Sequence, residues 1–175
     1  MAGRAVWSFR LLYMGLGFLF LFFALLPFGP GEGGVPGPDL LFCLTIAWVL
    51  RRPDYVPVWL MVPLFLLDDA LLMRPLGLWT LVVLLVAEYL RPRVDHSEAQ
   101  TFGAEIVLAT GCIIAAFVLN QAALALLLAE GPPLTGLILH LVATIAFYPL
   151  VALFSQLIGV RRLAPGELDT LGTRA

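Results

Sequence analysis

In the stretch FLLDDALLMRPLG, residues 65–77, two carboxylates, Asp68 and Asp69, stand side by side near the end of an otherwise apolar run. A carboxylate pair does acid–base chemistry only when both groups converge on one reacting atom, and adjacent helical positions diverge by about 100°. The expectation is therefore that one acid faces the interior and the other the outer boundary, with Arg74 close enough to pair with them. The remaining ionisable groups inside apolar runs are Glu88, Glu105 and His140. Each is informative, because a charge in lipid costs at least about 2.5–3.5 kcal/mol. Glu88 and Glu105 fall near arginine-rich boundaries, so pairing with Arg91 or Arg93 is expected. His140 has no second ligand at metal spacing, and a helix–helix hydrogen bond is the expected role for it, as for Asn120 and Gln121. No nucleophile–base pair, phosphate-cradling glycine loop or haem ligand set is present, so the sequence points to a chain without catalysis, cofactor or metal.

These residues must be positioned by elements dissolved in lipid. The 175 residues are 61% hydrophobic and only 13% charged, with a mean hydropathy of +0.99, far from soluble domains, where apolar usage is about half. The pattern is that of an integral membrane protein folded as a single domain over 1–175. Cys43 and Cys112 both lie within apolar runs and read as small core residues rather than a disulfide framework. A net charge of −2 and the lack of a basic run exclude nucleic-acid binding.

Apolar runs separated by Gly, Pro and charged breaks predict six transmembrane helices, at about 7–27, 37–50, 55–73, 76–90, 102–129 and 134–160. The first follows Arg4 and Arg10 as a signal peptide would, but its core is too long and no Ala-x-Ala site follows, so it is expected to remain as an anchor. Asp39 stands where an N-cap belongs, directly after Pro38. The second and fourth runs are short for a hydrocarbon core of about 30 Å and must recruit their flanks, thin the bilayer or be covered by protein. If the helices alternate, nine of the ten arginines fall on one side and Arg74 alone on the other. That asymmetry places both termini in the cytoplasm.

Small residues one turn apart let helix backbones approach closely. Gly111 and Ala115, Ala125 and Ala129, and Ser155 and Gly159 have this spacing. They serve either internal packing or the docking of another membrane protein, and the fifth helix is the first choice for a docking face, with the sixth next.

The stretch PDLLFCLTIAWVLRRP, residues 38–53, holds Pro38, Asp39, Trp48, Arg51, Arg52 and Pro53. An apolar helix ending in an acid follows, then Leu76 and Gly77, an apolar fourth helix and the close EYLRPR. This order of features resembles the rod shape-determining protein family MreD. By its spacing to Leu76-Gly77, Asp69 rather than Asp68 matches the family acid. The resemblance implies a non-enzymatic subunit of the bacterial cell-elongation complex in the inner membrane. It implies association with MreC, and through it with MreB filaments and with the glycosyltransferase RodA and its transpeptidase, amid membrane lipid. It also implies a six-helix bundle similar to the S components of energy-coupling-factor transporters, and a solute-binding subunit of such a transporter is the alternative function. S components usually carry an Ala-xxx-Ala pair on the first helix for their coupling subunit. The first helix here has none, which favours the scaffold.

Overall fold

The computed structural model describes residues 2–26, 37–94, 102–128, 131 and 133–160. It is all-helical over these residues: α1 (Ala2–Leu25), α2 (Leu40–Arg51), a 3-10 turn (Pro53–Tyr55), α3 (Val58–Leu71), α4 (Leu78–Val94), α5 (Phe102–Leu126) and α6 (Leu134–Leu157). Each predicted helix is present within a few residues of its expected bounds. The third ends early because Met73 takes a left-handed conformation, φ 55°. The fourth continues through Pro92 to Val94, and Arg93 Nη1 donates to the Tyr89 carbonyl in this last turn.

α2 sits at the centre. Its sequence, LLFCLTIAWVLR, is apolar on every face, which suits a helix surrounded by protein rather than one with a wet side. Every residue from Leu41 to Arg51 is buried, and α2 packs against α1, α4, α5 and α6. At 12 residues it is about 18 Å long, too short to cross a hydrocarbon core unaided. Of the three solutions open to a short helix, this one is covered by protein. Among the described residues, α1, α5 and α6 are the helices long and apolar enough to cross a membrane by themselves, and most of each apolar stretch lies outside the bundle, with only 17%, 33% and 22% buried. Membrane helices need such an apolar exterior, and Phe18, Phe22, Val118, Val142 and Leu150 supply it.

Interhelical polar contacts hold the bundle where hydrophobic packing gives no preference for protein over lipid. Tyr13 Oη and Thr45 Oγ1 are 2.8 Å apart between α1 and α2. Trp48 Nε1 donates to Ser155 Oγ at 3.2 Å, and Cys43 Sγ donates to the Thr144 carbonyl at 3.4 Å, both joining α2 to α6. Gly17 brings α1 onto α3, since a Cβ there would stand 2.5 Å from Leu64 Cδ2. The same contacts fix helix direction. Asp39 and Cys43 meet Thr144 while Trp48 meets Ser155, so α2 and α6 run parallel. Trp79, at the start of α4, meets Phe117 in the second half of α5.

Candidate functional site

The polar groups gather at two opposite ends of the bundle. At the first, the turn between α3 and α4 is organised by Asp69. Gly77 is the residue before α4; its φ of +84° suits glycine, which has no side chain to cap the helix that follows. The capping oxygen comes from α3 instead. Asp69 Oδ2 accepts hydrogen bonds from Gly77 N at 2.9 Å, Thr80 N at 3.3 Å and Thr80 Oγ1 at 2.8 Å. A carboxylate thereby satisfies two amides that a helix start leaves without partners, and its charge faces the positive end of the α4 dipole.

Asp39 does the same within its own helix. Its Oδ1 accepts from Phe42 N at 2.9 Å, the N-cap contact expected from the sequence, and its backbone N–H donates to Thr144 Oγ1 at 3.1 Å. Arg74 joins the acids: Nη1 is 3.3 Å from Asp68 Oδ2 and 3.9 Å from Asp39 Oδ2, and the guanidinium lies 5.5 Å from the Trp79 ring centre. The expected division between an inward and an outward acid is corrected here. Asp68 is buried as well as Asp69, because Arg74 folds back over it. The two still diverge, one toward Arg74 and one toward α4. Asp69 Oδ1, Asp39 Oδ2 and Trp79 Nε1 make no hydrogen bond among the described residues.

The opposite end holds the arginines. Arg51, at the end of α2, is fully buried and its Nη2 lies 2.9 Å from Glu105 Oε1, while Tyr148 Oη donates to the same oxygen at 3.1 Å. This triad ties α2, α5 and α6. Glu105 was expected to pair with Arg91 or Arg93; it pairs instead with a residue 54 positions away, because α5 packs against α2 at this level. Glu88 does pair with Arg91 at 2.8 Å, and Arg91 also donates to the carbonyls of Pro53 and Val56. Arg52 lies over the Tyr55 ring at 6.0 Å, and Arg10 lies against the Trp7–Trp59 pair, 5.3 and 5.8 Å from the two ring centres. Rings and guanidinium groups banded together at one end match the aromatic belt of a membrane–water interface.

The structure also sorts the small residues. Ser155 is buried and bonded to Trp48 and to the Val151 carbonyl, so it serves internal packing, whereas Gly159 is exposed at the end of α6 with φ +94°. Gly111 and Ala115 are exposed, and a Cβ at Gly111 would meet nothing within 4 Å. Ala125 is exposed, and Ala129 lies outside the described residues. His140 differs from expectation: its ring packs 5.1 Å from that of Phe117, and the interhelical hydrogen bond nearby belongs to Thr144. Gln121 Oε1 accepts no hydrogen bond among the described residues.

Comparisons with family models, curated proteins and solved structures returned no match. The site therefore has to be judged on its own geometry. Asp39 and Asp69 are engaged with helix starts and Asp68 with a cation. Among the described residues no three His, Cys, Asp or Glu side chains stand where they could share a metal ion. What the acid end does physically is hold the α3–α4 turn. On that turn Met73 is 93% exposed and Leu76 72% exposed. Sequence reasoning had marked Leu76 and Gly77 as a motif but missed Thr80, whose only signal is its position at the third residue of a helix without its own cap.

Proposed function

We propose that the chain is a non-enzymatic membrane scaffold of the bacterial cell-elongation complex, an MreD-like subunit of the inner membrane that docks an MreC-like partner and, through it, the MreB filament and RodA with its transpeptidase. All six helices cross the membrane with both termini cytoplasmic, the shorter ones sheltered by the longer, in an S-component-like bundle.

The observation that carries this reading is the α3–α4 turn. Two largely exposed apolar side chains at a loop are costly in water and gain nothing by themselves. Here they stand on a turn immobilised from below by the Asp69 bonds and the Asp68–Arg74 pair. A rigid turn that presents Met73 and Leu76 loses little entropy on binding, which is what a docking point requires. The acid end that supports it coincides with the residues carrying the resemblance: Asp39, Asp69, Leu76 and Gly77. A solute-binding transporter subunit would use these acids to line a path, but each is directed at a helix start or at Arg74.

The test is a double variant, Met73→Glu with Leu76→Glu, produced in a rod-shaped host that depends on the chain. Rounded cells at normal membrane abundance are expected. Rod-shaped cells would remove the turn from the docking surface.

A further inference from the structure

A groove of about 610 Å³ runs between α4 and α5 on the outside of the bundle, lined by Leu85 and Tyr89 on one side and by Val107, Gly111, Ala115 and Leu119 on the other. Its volume falls within the range of small-ligand sites, about 300–1,000 Å³. From Val107 to Leu119 it follows α5 for about 18 Å, a little over half the hydrocarbon thickness. Bare positions 111 and 115 form its floor, and nothing within 4 Å stands where a Gly111 Cβ would be.

The two ends of this groove differ in charge. Tyr89 closes it toward the arginine end of the bundle, and Arg93 lies one turn further on, with its guanidinium 3.5 Å from the Tyr89 ring centre and Nη1 bonded to the Tyr89 carbonyl at 2.7 Å. Arg93 is exposed. An arginine carries five N–H groups, and stacking on a ring fixes the plane in which the others are offered. The nearby carboxylate of Glu88 is held by Arg91 at 2.8 Å and leaves the Arg93 charge for an outside anion. An apolar channel that ends at a fixed, exposed guanidinium on the arginine-rich side is complementary to a molecule with an anionic head and a hydrocarbon tail. A partner helix would fill the channel but would have no general reason to bring a negative charge to that end.

We infer that the α4–α5 groove is a binding site for one anionic phospholipid, with its phosphate on Arg93 and an acyl chain along Gly111 and Ala115. Anionic lipid is enriched on the side where arginines gather, so the leaflet and the site agree. The inference does not depend on the scaffold reading.

The experiment is retention of defined lipids by the full chain in mild detergent, measured by native mass spectrometry with phosphatidylglycerol and phosphatidylcholine as probes. The wild-type chain is expected to hold one phosphatidylglycerol with at least a tenfold preference over phosphatidylcholine. Arg93→Gln should bring the preference close to one. Gly111→Leu should lose retention of both lipids with thermal unfolding unchanged, since its side chain enters the open groove and nothing stands within 4 Å of where its Cβ would be. Equal retention of the two lipids by the wild-type chain, or undiminished phosphatidylglycerol retention in both variants, would overturn the site. So would a photo-crosslinker at Ala115 that yields a protein adduct in cells and no lipid adduct, which would assign the groove to a partner helix.

Discussion

Asp69 shows how one carboxylate in an apolar chain can be structural without being inert. Replacing it with alanine leaves Gly77 N, Thr80 N and Thr80 Oγ1 without their acceptor in a buried place, a loss of about 1–3 kcal/mol or more. Asp68→Ala should cost less, because Arg74 keeps Asp39 as a neighbour and its side chain is 29% exposed. Thermal unfolding of the two variants in detergent checks this, and equal losses would contradict the division of roles. The sequence made the acid itself legible, since a charge in an apolar run must have a reason, and the family resemblance singled out Asp69, the acid that is bonded to Gly77 and Thr80. Its donors were only half legible: glycine marked the turn, but Thr80 looks like any polar residue at a helix start. The partner of Glu105 was not legible at all. Arg91 and Arg93 were nearer along the chain, whereas Arg51 reaches Glu105 only through the lateral packing of α2 against α5. Such a buried pair is stabilising only while both members are present, because breaking it costs about 3–5 kcal/mol.

Among the elements, α2 and α1 illustrate opposite ways of living in lipid. α2 is apolar on all sides and enclosed by protein; α1, beyond its first turns with Arg4, Ser8 and Arg10, is apolar on all sides yet leaves Trp7, Leu11, Phe18 and Phe22 outside. Composition could not distinguish them, since neither shows a polar face to orient it, and length gave the clue: only a helix too short to cross alone must be sheltered. Close approach of α1 to α3 depends on Gly17. Gly17→Val drives a branched side chain into Leu64, while Gly15→Val enters open space. The first variant is expected to lower the unfolding temperature in detergent, the second to leave it unchanged. Equal behaviour would show that α1 does not pack on α3 through this glycine. The sequence search for docking pairs on α1 passed over Gly17, because close packing here is made by one small residue against a leucine rather than by a small-xxx-small pair.

At the scale of the whole molecule, the bundle has an acid end and an arginine end; Arg10, Arg51, Arg52, Arg91 and Arg93 gather at the latter, while Arg161, Arg162 and Arg174, which the arginine count places on the same side, lie outside the described residues. Conversion of ends into sides of a membrane follows the excess of arginine. Reporter fusions after Gly33 and Gly131 should be active outside the cytoplasm and fusions after Arg93 and Ala175 inside it; a cytoplasmic signal at Gly33 would reverse the assignment. The helix count and order were readable because apolar runs and their Gly-Pro breaks are local features. The proposed docking turn was not, because exposure of Met73 and Leu76 and burial of Ser155 are properties of the assembled bundle. Asp39, Asp69, Arg51, Glu105, Trp48 and Ser155 serve helix starts, ion pairs and helix–helix hydrogen bonds, and the proposed role of the molecule lies in what it holds together. Affinity purification of the full chain from its own membrane in mild detergent, with identification of the proteins that come with it, tests this most directly. An MreC-like protein at near-stoichiometric amount, accompanied by RodA and its transpeptidase, is the expected result; the coupling and ATP-hydrolysing subunits of a transporter in its place would contradict the account.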